Sequence, residues 1–249
     1  MPTIRLVWFM AEVSRRLFWT AVECCRIVGW MRADSALRSA PVFDNAFRAQ
    51  LRDLFKWRRD VRRFLREPVP AELLDELLDI AALAPSVGLS EPWRFVTVDD
   101  PARRQAVRAN FEVCNAQALA RQRGERARLY ARLKLAGFDE APCHFAVFTE
   151  ADPQQGYGLG RATMPETTAY SAVMAVHTLW LAARAAGLGL GWVSILDPVA
   201  VALILEVPAD WTLIGYFCMG YPQLETDVPE LERAGWEHRR SAKSCVVRR

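Results

Sequence analysis

The sequence predicts an α+β domain with a mixed, mostly antiparallel sheet flanked by helices. Three observations lead there. At 249 residues, 52% hydrophobic and 24% charged, the chain suits one large globular domain, or one domain plus an appendage. Segments with apolar residues at helical spacing are interleaved with short runs of alternating strand type. The succession of the two kinds lacks the regular strand–helix–strand order of a parallel sheet.

The elements follow in order. Residues 1–42 stand apart as an N-terminal helical extension and linker. "IRLVWFMAEVSRRLFWTAVECCRIVGWM" is rich in aromatics and reads as helix, but Glu12, Arg15, Arg16, Glu23 and Arg26 interrupt it. No uncharged run reaches the length of a membrane span, and no small-residue cleavage signature follows. Three readings stay open for this segment: an amphipathic helix contacting a membrane or partner through residues 4–31, a dimer-stabilising arm, or a start of translation placed too early, Met31 offering a later one. The domain proper, residues 43–249, opens with a helix carrying Phe47, Leu51, Leu54 and Phe55 on one face. Pro68 and Pro70 mark a turn, and residues 71–84 form a helix with Leu73, Leu74, Leu77, Leu78 and Ile80 inside. "APSVGLSEPW" (84–93) is a loop punctuated by Pro85, Gly88 and Pro92. Strands are expected at 94–100, 144–150, 189–196 and 211–221, with a highly charged helical stretch over 101–137 and a short helix over 201–207. Residues 152–167 are a loop, and 170–186 a strongly apolar helix buried on most of its circumference.

Several function classes fall away. A net charge of +3 is small for this length and does not suggest a nucleic-acid binder. Six scattered cysteines form no C-x-x-C, and the three histidines have no ligand spacing, so no metal site is expected. Reduced thiols in a cytoplasmic protein are the simplest reading. "GLGLGW" (187–192) is not a dinucleotide loop, because its glycines follow a helix and open a strand. They read as a helix C-cap and a place of close packing.

The run Arg58-Arg59-Asp60-Val61-Arg62 puts three guanidinium groups and one carboxylate into five residues. Arginine offers planar, bidentate donors that match phosphate oxygens. Asp60 is the odd element, since a pure phosphate site has no use for it. Read alone, Ser86 is a turn serine, Ser194 a strand hydroxyl in need of a partner, and Arg161 and Lys134 surface charges.

In combination these segments say more. "RRDVR", "APSVGLSEPWRF" about 25 residues on, "LGR…MPE…YS" (159–171), "WVSILDP" (192–198) and "VPELERAGW" resemble the nitroreductase-like flavoprotein superfamily, and within it the 5,6-dimethylbenzimidazole synthase branch. The resemblance covers residues 43 to about 240, and Asp60 is its branch marker. It implies a nitroreductase-like fold, a domain-interlocked homodimer and FMN at the subunit interface. Arg58, Arg59, Val61, Arg62 and Arg233 would then hold the phosphate and ribityl end. Ser86, Gly88 and Leu89 would meet the flavin from a facing loop, and residues near 110–140 would form a lid. Asp60 and Ser194 would be catalytic in an O2-dependent fragmentation of reduced FMN to 5,6-dimethylbenzimidazole, the lower ligand of vitamin B12, and erythrose 4-phosphate. The arginines around Asp60 are expected to favour its ionised, basic form. A separate flavin reductase would supply the reduced FMN, as no dinucleotide loop is present.

Against the family pattern, Glu91 stands in place of Gln, Thr167-Thr168 in place of Met-Asp, and His177-Thr178 in place of Gln-Asn. Rival readings are an NAD(P)H-dependent nitroreductase or flavin reductase, a halotyrosine deiodinase-like reductase, and a flavin-storage protein. The deiodinase pattern wants a Tyr where Ala116 stands.

Overall fold

The computed structural model describes residues 40–133 and 137–249. The chain divides into a unit Met1–Asn45 and a unit Ala46–Arg249. Apart from the first residue of the first helix, all elements below belong to the second unit. The helical extension expected before residue 40 lies outside the described residues, and so does the membrane or partner contact considered for 4–31.

Four strands form one antiparallel sheet: β1 (Trp93–Thr97), β2 (Cys143–Glu150), β3 (Gly189–Val193) and β4 (Trp211–Gly220), in the spatial order β1-β2-β4-β3. The expected strands are therefore present, and the sheet is antiparallel throughout. The only parallel pairing described is an isolated bridge between Asp60 and Leu190. Helices α1 (Asn45–Trp57), α2 (Ala71–Ala81), α3 (Pro101–Ala120), α4 (Gly124–Arg132), α5 (Gly137–Glu140), α6 (Thr167–Ala185), α7 (Pro198–Ile204) and α8 (Glu230–Arg233) surround it.

The period-two alternation of β2 makes two cores. Phe145 and Val147 face α2 and α6, joining Leu77, Val176, Leu179, Leu190 and Phe217. Ala146 and Phe148 face the other way, joining Phe64, Val107, Val201 and Tyr216. His144 is buried in the second layer between Tyr216 Oη (3.0 Å) and the Ala141 carbonyl (3.1 Å), and burial pushes it down to about 4.

The charged segment 101–137 is helical in separate pieces: α3 ends at Ala120, and Gly124 starts a new helix. One expectation needs correction. The helix over 170–186 is buried on one side only. Tyr170, Val173, Met174 and His177, at spacings of three and four, form an exposed stripe. Aspartates before prolines fix two helix starts: Asp100 accepts from Ala102 N, and Asp197 from Val199 N and Ala200 N.

In "GLGLGW", Gly187 takes φ 78° just past the end of α6, and Gly189 and Gly191 serve close approach, as expected. A Cβ on Gly189 would stand 2.5 Å from Val61 Cγ2, and one on Gly191 2.2 Å from the Val61 carbonyl oxygen. Val61 occupies the space that two β3 side chains would need. Gly191→Ala should therefore destabilise the chain by about 1–3 kcal/mol, through displaced backbone rather than lost burial. Chemical denaturation checks this; unchanged stability would mean that the Val61 segment moves away at no cost.

Candidate active site

The arginine run leaves α1 and crosses the free edge of β3. Val61 N–H donates to the Leu190 carbonyl (3.0 Å), and Trp192 N–H donates to Asp60 Oδ1 (2.9 Å). Phe64, fully buried, bridges to Pro222, and Leu65 N–H donates to the Tyr221 carbonyl. From α6, Trp180 Nε1–H donates to the Arg59 carbonyl (3.1 Å), and the Arg58 guanidinium lies 4.7 Å from the Trp180 ring centroid. Sheet edge, helix and C-terminal segment thus hold the run together.

It opens on two adjoining cavities. The larger, about 350 Å³, is lined by Arg59, Asp60, Arg62, Arg63, Glu230 and Arg233, with Val61, Leu224, Thr226 and Ala234 between them. The smaller, about 130 Å³, adds Arg58 and Arg239 to Arg59, Asp60, Arg62 and Glu230. Arg233 therefore joins the arginine run, as its motif implied. Arg63, Arg239 and Glu230 are additions. Glu230 and Arg233, three apart on α8, had a signal in the "VPELER" spacing. Arg239 had none, since nothing in a polar tail marks where it folds back.

The electrostatics call for an anion. Burial pushes Arg58 and Arg59 below the usual guanidinium value, and repulsion from Arg239 adds to it. Arg59 Nε is buried and has no hydrogen-bond partner among the described residues, although its NH2 group donates to the Asp227 carbonyl (2.7 Å). A phosphate matches this donor set in charge and geometry, so the residues present fit an FMN phosphate.

Asp60 behaves otherwise than expected. Its pKa is raised above the ordinary carboxylate value, because burial outweighs the Trp192 N–H and the Arg62 guanidinium; Glu230 adds to the rise. The side chain is 38% exposed, but that exposure is to the cavity, and the surrounding chain is dense enough for desolvation to dominate. Arg62 favours the ionised form, and burial opposes it more strongly.

The other expected residues lie apart from these cavities. Ser194 is not within a strand: β3 ends at Val193, and Ser194 is exposed with no hydrogen bond among the described residues. Ser86 is a turn serine here, its Oγ accepting from Glu91 N–H (3.1 Å). Gly88 adopts φ 57° in a short 3-10 turn, Val87–Leu89, where a Cβ would meet the Leu159 carbonyl oxygen at 2.7 Å. Leu89 is exposed. Neither cavity is lined by Ser86, Gly88, Leu89 or Ser194. Of the expected lid, no described residue lines either cavity; α4 meets the C-terminal segment, where Arg126 lies over the Trp236 ring and Tyr130 packs beside it, three residues beyond Arg233.

The family model that describes the nitroreductase family matches residues 55–221. The chain belongs to the nitroreductase family. Within it, the chain is 56% identical to a 5,6-dimethylbenzimidazole synthase of Rhodospirillum rubrum, over 86% of this chain and 100% of that one. A synthase of the same name from Rhodobacter capsulatus is 49% identical over 78% and 94% of the two chains. Among solved structures, oxidized iodotyrosine deiodinase bound to FMN and 3-iodo-L-tyrosine superposes with a TM-score of 0.61 and 28% identity, covering 71% of this chain and 91% of that one.

Asp60→Asn and Asp60→Ala separate the two duties of this carboxylate. An acid with a raised pKa makes the folded state less stable once ionised, and that penalty fades as pH falls through the folded value. Asn keeps an oxygen for Trp192 N–H and carries no charge, so its melting temperature at pH 7 should equal or exceed that of the parent, the gain shrinking on acidification. Ala leaves the Trp192 N–H without its acceptor, at about 1–3 kcal/mol, and should melt below Asn. A lower melting temperature for Asn than for the parent at pH 7 contradicts this.

Proposed function

We propose that this chain is a 5,6-dimethylbenzimidazole synthase that converts reduced FMN and dioxygen to 5,6-dimethylbenzimidazole and erythrose 4-phosphate. The observation that carries the reading is a carboxylate, Asp60, set among the arginines of an anion-binding cavity. Identity of 56% across the full length of a relative bearing that name supports it.

Bound here, FMN supplies a ring system whose reduced form gives electrons to oxygen. The chain's own groups do the rest. Arg58, Arg59, Arg62 and Arg233 neutralise and orient the phosphate, and Arg59 Nε supplies a donor with no internal partner. Asp60 sits beside them at the ribityl end, where bond cleavage needs proton transfers. Its raised pKa makes it able to hold a proton as well as accept one. Ser194, exposed at the end of β3, would offer its hydroxyl to the flavin in this reading. The α4 helix, which meets the C-terminal segment at Trp236, would serve to keep water from the bound flavin in this reading.

The working unit in this reading is a homodimer. The loop 86–89 and Ser194 line neither arginine cavity of their own chain. The stripe of Tyr170, Val173, Met174 and His177 on α6 offers an apolar face to a second copy.

The test is to load the protein with stoichiometric reduced FMN, admit oxygen, and assay dimethylbenzimidazole by mass spectrometry. The parent should consume flavin and yield product. Asp60→Asn should bind flavin but lose product by at least about 100-fold, the usual scale of a proton-transfer residue. Undiminished product from that variant removes Asp60 from the chemistry. Intact FMN with continuing NAD(P)H oxidation identifies a flavin reductase instead.

A further inference from the structure

Arg62 stands between two acids. Its Nε lies 3.6 Å from Asp60 Oδ2 and 3.9 Å from Glu230 Oε2. Both carboxylates, with Arg59 and Arg62, line both cavities. An anion attracted by the arginines therefore arrives beside two negative charges already in place. Arg62 must then turn part of its donor set to the newcomer, and the acids lose part of the counter-charge they share in it. The crowding is relieved when one carboxylate takes a proton.

The two acids are unequal. Glu230 belongs to the four-residue helix α8, and its side chain is 37% exposed. Asp60 has Oδ1 fixed by Trp192 N–H, leaving Oδ2 as the oxygen facing Arg62. The charged and titratable groups around Asp60 come from every side. Arg58, Arg59 and Arg62 are on its own segment, Glu230 and Arg233 on α8, and Arg239 in the tail. On β4 lies the Cys218 thiol, which burial keeps protonated. Burial already favours the neutral form of Asp60, and Glu230 pushes the same way.

We propose that anion binding in the arginine cavity is coupled to uptake of a proton by Asp60. The inference rests on the proposed reading of this cavity as the seat of the phosphate. The proton comes from solvent and bonds to Asp60 Oδ2; Oδ1 keeps its hydrogen bond from Trp192. Asp60 then meets a bound substrate as an acid, ready to donate, and becomes a base only after giving that proton away. Binding raises the proton affinity of the carboxylate, so uptake is confined to the interval between its anion-free and anion-bound titrations. It disappears at pH well above both.

Isothermal titration calorimetry with inorganic sulfate tests this, because sulfate does not itself titrate in the range. Proton stoichiometry is read from the dependence of the heat on buffer ionisation enthalpy, between about pH 4.5 and about pH 8. The full-length protein should take up a proton at mildly acidic pH, approaching about one per sulfate, and none at the upper end. Glu230→Gln should retain uptake, displaced to lower pH. Asp60→Asn should bind sulfate at least as tightly and take up none. Sulfate binding without uptake in the parent overturns the coupling while leaving the anion site intact. Uptake that survives Asp60→Asn and vanishes in Glu230→Gln assigns the proton to Glu230 and overturns the proposal. Failure to bind either sulfate or FMN overturns the phosphate seat, and the coupling with it.

Discussion

The junction of residues 60 and 61 with the free edge of β3 places the arginines of the Arg58–Arg62 run. Two hydrogen bonds make it: Val61 N–H to the Leu190 carbonyl, and Trp192 N–H to Asp60 Oδ1. Each contributes on the order of 1 kcal/mol, so the importance is geometric rather than energetic. Val61 can lie this close only because residues 189 and 191 have no side chains. Once it does, Phe64 is carried into the second core, and Arg58 and Arg59 are brought against Trp180. The same carboxylate that sits among the guanidinium groups is also the peg that fixes their backbone. Its structural and chemical duties are inseparable in the parent, and only an isosteric, uncharged replacement divides them.

Around this junction the charges are balanced without being saturated. Arg58, Arg59 and Arg239 repel one another in a partly desolvated space. Acids are close enough to offset that repulsion. Arg62 lies 3.6 Å from Asp60 and 3.9 Å from Glu230, beyond the 2.7–2.9 Å of a full charge-assisted hydrogen bond. Lys56, by contrast, takes Asp227 at 2.6 Å. The tight pair is thus at the rim, and the loose ones are inside. Donors left uncommitted in this way remain available to a ligand, whereas an arginine fully paired at 2.8 Å would first have to break that pairing.

Much of this was legible in the sequence, and the gaps have physical causes. The strands and most helices announce themselves through period and punctuation, and the structure brings Arg59, Asp60, Val61 and Arg62 to one cavity with Arg233, Arg58 lining the adjoining one. Asp60 was recognisable as anomalous, but its protonation bias was not. Sequence proximity to arginines suggests an ionised acid, while burial, which outweighs them, is set by β3 and the C-terminal segment folding around it. Ser194 was misplaced because apolar periodicity continues through Ile195 and Leu196 after strand pairing stops at Val193. Leu196 packs into the second core without extending the ladder. Glu230 and Arg239 were missed since their neighbours in the cavity are some 170 residues away in the chain.

The departures from the family pattern fall away from the arginine cavity. Glu91 takes φ 43° and donates its N–H to Ser86 Oγ; Thr167 and Thr168 bond back to the Met164 and Pro165 carbonyls at the start of α6. His177 stacks on Phe55 of α1, ring centroids 6.3 Å apart. All four belong to the 86–91 loop or to α6, the segments that a second copy would meet in the proposed dimer. None lines either cavity. In the proposed dimer, a change in these positions would act on how two chains seat against each other and how the facing loop is presented. The arginine run itself is fixed by β3, Trp180 and the C-terminal segment of the same chain, and none of these positions touches that junction. On the proposed reading, phosphate binding and the chemistry at the ring would then be free to diverge separately.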